Sequence, residues 1–157
     1  MCIVIDINVL PCVFHENSAY HAQYESVKKW IVDGKGFVVY GGSKYGEELK
    51  RATTYHALLL ELRRKQKVKI VNREMVDKHQ QIVKRLLNGK QCNDAHLIAI
   101  FRVSGCRLLC SNDKRSDTFI KDRRYYLNNQ KPPKIYRNQA SKHLLCAKYL
   151  VQIRNVT

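Results

Sequence analysis

The chain has 157 residues, of which 45% are hydrophobic. That is one ordinary domain with enough apolar surface to bury a core, so a disordered polypeptide is excluded. Lys and Arg number 29 against 13 Asp and Glu, a formal net charge of +16, which points to a polyanionic partner, nucleic acid first. A membrane surface is the weaker alternative, because the cations are spread along the chain rather than gathered on one amphipathic helix. A basic surface kept for solubility is the remaining one.

Residues 2–7 form a short β-branched run, apolar on both faces, as in a central parallel strand. Asp6 and Asn8 stand where it ends. Between residues 18 and 32 apolar positions recur at helical spacing, and Asp33-Gly34-Lys35-Gly36 stops that helix. Residues 37–40 read as a second strand, closed by Gly41-Gly42. Ser43 is a candidate N-cap for a short helix carrying Glu47 and Glu48 in its early turns. A helix over about 54–65, a third strand over 68–71 and a helix over about 73–87 follow. Asn93 is read as the cap of a helix holding Asp94, Leu97, Ile98 and Phe101, ended by Gly105. Residues 106–110 are a fourth strand, and Ser111-Asn112-Asp113 follows at once. A helix over about 116–126, a break at Pro132-Pro133, an edge strand at Ile135-Tyr136 and a last helix over 139–150 complete the chain. Alternating strands and helices predict an α/β fold with a central, mainly parallel sheet. A single domain is expected, with a core over about 2–125 and a basic extension over about 126–157.

The opening MCIVIDINVL lacks a basic leader region and carries Asp6 in its middle, and no run approaches the length of a membrane span. A cytoplasmic protein is expected, with no membrane partner. The six cysteines include no CxxC pair and no spacing that completes a zinc site, so they read as reduced thiols. No phosphate-binding glycine loop occurs.

Ligands of parallel α/β sheets bind beyond the carboxyl ends of the strands. Asp6 closes the first strand, Glu47 and Glu48 follow the second, Asp113 follows the fourth, and Asp94 opens the helix leading to the fourth. Like charges gathered at one rim repel unless a cation neutralises them, and oxygen ligands suit Mg²⁺ or Mn²⁺. Taken singly, Asp94 also reads as a helix-favouring charge, Asp113 as a turn residue, and the glutamates as first-turn charges. Asp6 is the hardest to explain otherwise, because a carboxylate in an apolar run is costly unless it is paired or ligates something.

The same residues resemble the PIN-domain nucleases. The block Ile3-Val4-Ile5-Asp6-Ile7-Asn8-Val9-Leu10 matches their opening strand, and Glu48-Leu49 matches a Glu-Leu step after the second strand. Asn93-Asp94-Ala95-His96-Leu97-Ile98-Ala99 matches an Asp that opens an apolar helix. Leu108-Leu109-Cys110-Ser111-Asn112-Asp113 matches the closing strand. The four blocks occur in the family's order over residues 2 to about 120. The resemblance implies a PIN-like three-layer α/β/α fold and Mg²⁺- or Mn²⁺-dependent endonucleolytic cleavage of single-stranded RNA. It makes Asp6, Glu48, Asp94 and Asp113 the catalytic and metal-binding set, with Asn8 and Ser111 as polar supports. Of the two adjacent glutamates, Glu48 is preferred because the Glu-Leu step fits it. Asp117 is a further candidate ligand, or a surface charge. For a small member the resemblance admits a toxin of a toxin–antitoxin pair, a defence nuclease or an RNA-turnover enzyme. A toxin would have an antitoxin or regulatory protein as partner, and a homodimer is implied.

Lys44, Lys114, Arg115, Arg123 and Arg124 are the candidate RNA-binding cations. From Lys114 to Arg154 further cations, among them Lys121, Lys131, Lys134, Arg137 and Lys148, alternate with Tyr125, Tyr126, Tyr136 and Tyr149. That pattern suits a single strand with stacked bases, and equally a Tyr-bearing segment packed on the core with solvated cations outside. Against the nuclease stands a second reading, a non-catalytic PIN-like module that holds RNA or a protein without cutting.

Overall fold

A computed structural model describes residues 1–146 and 152–157. Five strands, β1 (Cys2–Ile5), β2 (Phe37–Gly41), β3 (Val68–Val71), β4 (Leu108–Cys110) and β5 (Lys134–Tyr136), form one all-parallel sheet in the order β3-β2-β1-β4-β5. Every residue of β1 is buried, as the unbroken apolar run requires of a strand covered on both faces. The register sets Cys2 beside Phe37 on one flank and Ile5 beside Cys110 on the other. The strand order reverses between β1 and β4. A crevice at the carboxyl ends of these two strands is where a doubly wound sheet binds ligands.

The first strand is shorter than expected, ending at Ile5 rather than Ile7. Asp6 takes over as a cap: its carboxylate accepts from the Asn8 backbone N–H at 3.3 Å and starts a 3-10 turn over Ile7–Val9. Helix α1 (Leu10–Phe14) follows, with Pro11 in its first turn, where a missing N–H costs nothing. Neither element is among the sequence expectations, which carry the apolar run as strand through Ile7 and assign no element directly after it. Helix α2 (His21–Val32) then begins three residues later than the periodicity suggested.

Gly42, at φ +86°, turns the chain from β2 into α3 (Ser43–Arg51). A Cβ there would stand 2.5 Å from Val76 Cγ1, so the turn needs glycine. Ser43 is the first helical residue rather than the cap. Its N–H and hydroxyl both donate to Asp77, at 2.8 and 2.5 Å, so the start of α3 is held by a carboxylate from another helix. Helices α4 (Thr53–Arg64) and α5 (Arg73–Leu87) flank β3, and Asn72 caps α5 through the Met75 N–H. Helix α6 (Ala95–Ser104) is buried along its whole length and closes at Gly105 in the left-handed region. Its N-cap position is occupied by Asp94, not Asn93.

The helix expected over 116–126 is three short pieces: a 3-10 turn (Lys114–Ser116), α7 (Asp117–Ile120) and a 3-10 turn (Arg123–Tyr125). Asp113 and Asp122 each accept a backbone N–H two residues on, which restarts the turn and breaks helical continuity. The expected last helix is a 3-10 segment over Gln139–Leu144; the rest of that expectation, with Lys148 and Tyr149, lies outside the described residues. The chain end returns to the outer edge of β3, where Val156 bridges Val71 and the Thr157 N–H donates to Ile70 O.

One group of helices, α1 and α2, packs with the 139–144 segment; another, α3, α5 and α6, packs together. The arrangement is α/β and consistent with a three-layer α/β/α fold. Among the described residues no helix is long and apolar enough to cross a membrane.

Candidate functional site

The crevice at the β1/β4 switch point is built from Asp6 upward. Asp6 is 8% exposed and no cation pairs with it among the described residues. Its Oδ1 receives the Asn8 N–H, and its Oδ2 receives the Ser111 hydroxyl at 3.3 Å. Burial lifts its pKa to about 6, and the charges of Asp94 and Glu48 push in the same direction. The three carboxylates thus feel one another across β1, α3 and the start of α6.

Glu48 sits one turn into α3, half-buried, while Glu47 is exposed. The side chains of two successive helical residues diverge by about 100°, which is why only one turns inward. Burial raises the Glu48 pKa, and the Asp94 charge adds to it; Lys44 and Arg51 oppose. Lys44 Nζ stands 4.0 Å from Glu48 Oε1 and donates to Asn93 O at 3.1 Å. His96, on the first turn of α6, brings Nε2 to 3.7 Å from Glu48 Oε2. Its burial and the Lys44 charge depress its pKa to about 4, so at neutral pH the ring is uncharged.

Asp94 does not cap its helix with its side chain; its Oδ2 accepts the Ser116 hydroxyl. Asp113 is gripped by Arg115, whose Nε and Nη2 donate to its two oxygens at 3.0 and 2.9 Å, and this holds the Asp113 carboxyl below its ordinary range. Ser111 ties Asp6 to Asp113, because its Oγ donates to the Asp6 carboxylate and accepts the Asp113 N–H at 3.2 Å. The support expected of Asn8 comes from its backbone, and its side chain is exposed. Asp117 is held by Arg137 at 2.5 Å and Lys121 at 3.6 Å.

Two open hollows border the acids. One, about 410 Å³, is lined by Lys44, Glu47, Glu48, Arg51 and Asp77; the other, about 650 Å³, by Asn93, Asp113, Arg115 and Ser116. The Lys44–Asn93 hydrogen bond stands where they meet, and Asp6 lines neither. Among the described residues, no three His, Cys, Asp or Glu side chains converge closely enough to hold a metal ion. The structure therefore brings Asp6, Glu48 and Asp94 into electrostatic contact and links Asp113 to them through Ser111, without gathering the four onto one point.

Of the candidate RNA-binding cations, Arg115 and Arg124 are bound to the aspartates two residues before them. Arg123 donates to Asn128 O, and Lys114 is exposed. Tyr125, Tyr126 and Tyr136 are buried, so these three belong to the core rather than to a stacking surface.

Sequence reasoning missed Tyr45. It is wholly buried, stacks on Tyr40 with centroids 5.0 Å apart, and donates to Ile5 O at 2.7 Å, fixing α3 against the end of β1. An aromatic inside SKYGEEL was the available signal. The Asp77 clamp on Ser43 spans 34 residues and has none. Comparison of the chain with protein-family models, with curated proteins and with solved structures returned no match.

Proposed function

We propose that the chain is a metal-dependent endoribonuclease of the PIN type that cleaves single-stranded RNA. The observation that carries this reading is Asp6: a carboxylate buried at the switch point, facing the charges of Glu48 and Asp94, with no cation beside it among the described residues. A chain with +16 net charge had many cations to place there. Leaving the buried Asp6 carboxylate unneutralised is costly unless an external cation completes the site.

The donor set fits such an ion in kind. Asp6, Glu48, Asp94 and Asp113 offer only oxygen, which suits Mg²⁺ or Mn²⁺. Drawing them together requires Arg115 to leave Asp113 and Ser116 to turn from Asp94. Arg115 is 91% exposed, so its release meets little resistance. When bound, a divalent ion supplies the charge that makes water a stronger acid and offsets charge on the leaving oxygen. The protein's own part is positional. Asn8 N–H and Ser111 Oγ fix the Asp6 carboxylate, and Tyr45 fixes α3 and with it Glu48. Neutral His96 adds no competing charge beside Glu48.

Cleavage of a labelled single-stranded RNA with Mn²⁺ or Mg²⁺ tests the proposal. Asp6→Asn and Asp113→Asn should each lower the rate about 100-fold or more. Equal rates in the wild type and both variants would sink the assignment.

One observation favours a second reading, a PIN-like module that holds RNA without cutting: Asp94 and Asp113 already have partners within the protein. It predicts RNA retention with no cleavage under any divalent ion.

A further inference from the structure

A second feature lies on the far side of α7 from the acids. Along β5 runs an open groove of about 780 Å³, lined by Arg107, Lys121, Arg123, Lys131, Lys134 and Arg137, and by no Asp or Glu. We infer that this groove binds the sugar–phosphate backbone of the strand whose cleavage is proposed above; the inference rests on that reading and extends it from the acids to the path of the substrate.

Charge comes first. Arg123, Lys131 and Lys134 stand beside Lys121 and Arg137, which share Asp117, and a polyanion relieves the repulsion among them while releasing its own counterions. Lys131 and Lys134 are exposed, and among the described residues neither has an acid within ion-pair distance. Lys121 is 61% exposed. Lys131 and Lys134 are therefore available, whereas Lys121 shares Asp117 with Arg137, and Arg115 and Arg124 are occupied by their own aspartates.

Rigidity comes next. Pro132 and Pro133 line the groove and fix the backbone leading into β5, and β5 itself is hydrogen-bonded to β4. Arg137 is only 18% exposed and is held by Asp117. The cations therefore sit on a preorganised wall, which lowers the ordering cost of binding.

Continuity decides the ligand. Ser116 meets Asp94 at the acid pocket, while the next residue, Asp117, holds Arg137 in the groove. Successive Cα atoms are about 3.8 Å apart, so groove and pocket adjoin across one residue of α7. The Arg137 charge reaches Asp113 as well. A strand lying in the groove is thereby led to the carboxylates. Among the described residues the groove lining holds His143 but no Phe, Tyr or Trp. With cations outnumbering that one ring, recognition is chiefly through phosphates, which carry no sequence information.

The test is fluorescence anisotropy of a labelled oligouridylate in a metal chelator, across a series of salt concentrations. The variant carries Lys121→Gln, Arg123→Gln, Lys131→Gln and Lys134→Gln. For single strands each lost phosphate contact lowers the slope of log K against log salt by about 0.7. The quadruple variant should therefore lose a slope of about 2 to 3 and bind about 100-fold more weakly at about 0.1 M salt. The Lys131→Gln, Lys134→Gln double variant, altered only at exposed residues, should lose about half as much slope, which separates lost contacts from lost folding. Unchanged affinity and slope in both variants would overturn the inference. So would an oligoglutamate of equal charge that binds the groove as tightly, which would point to an acidic protein. Because the readout is metal-free binding, it stands apart from whether the acid pocket cuts.

Discussion

Replacing Asp6 with Asn should stabilise the protein at neutral pH and not in acid. In the fold the Asp6 carboxyl titrates at about 6, against an ordinary value of 3.8. Its buried charge is therefore a burden on the native state. Below both values the group is protonated in folded and unfolded chains alike, and stability is fully present. As pH rises between them, the unfolded chain ionises first while the native one keeps its proton, so stability falls until the pH passes about 6. At about 1.36 kcal/mol for each tenfold change in proton affinity, the loss is about 3 kcal/mol. Asn has the same shape without the charge and can keep one acceptor for the Asn8 N–H, so Asp6→Asn should recover most of that amount. For a chain of this size each kcal/mol moves Tm by about 2–4 °C, which makes the gain readily visible. The assay is urea unfolding of wild type and variant in chelator, from acid to neutral pH. A difference that grows between about pH 4 and about pH 7 is expected. No gain at neutral pH, or the same gain in acid, would refute the claim that an unpaired buried charge sits at the switch point.

Four further outcomes are expected. Ser111→Ala removes a hydrogen bond that favours the charged Asp6, so the midpoint of the pH dependence should move upward; a downward move would contradict the geometry. Glu48→Gln should cut RNA cleavage about 100-fold while Glu47→Gln leaves it near wild type, because Glu48 is the more buried of the two and its charge reaches Asp6. Tyr45→Phe should cost about 1–2 kcal/mol in urea unfolding by removing the hydroxyl held at Ile5 O, and cleavage should weaken as α3 loosens. The His96 ring, depressed to about 4, should show no protonation by NMR above about pH 5, and its contribution to stability is present above its ordinary value of 6.5 and lost as pH falls through about 4.

Much of the framework was legible in local pattern. The five strands stand where β-branched runs meet turn residues, and α5 and α6 end at Asn88 and Gly105 as expected of left-handed closures. What failed was continuity. Residues 2–7 look like one strand because apolar side chains serve a strand and a 3-10 turn equally; only the Asp6 cap, a choice between two uses of one carboxylate, ends it at Ile5. The same choice at Asp113 and Asp122 cut an expected helix into three pieces.

The site divides along similar lines. Asp6 was readable because an acid in an apolar run has few alternatives, whereas Glu48 was singled out only by the Glu-Leu step of the resemblance. The partners of Asp94 and Asp113 were not. Ser116 and Arg115 reach them through side-chain geometry that no spacing encodes. Tyr125, Tyr126 and Tyr136 are buried in the core, and cations line the groove along β5.

The central claim is that the acids at the β1/β4 switch point wait for a divalent cation. Calorimetric titration of the metal-free protein with Mn²⁺ near neutral pH tests it most directly. Saturable binding is expected in the wild type, weakened about 10- to 100-fold or more in Asp6→Asn. Binding of equal strength in both proteins, or none in the wild type, would contradict the account.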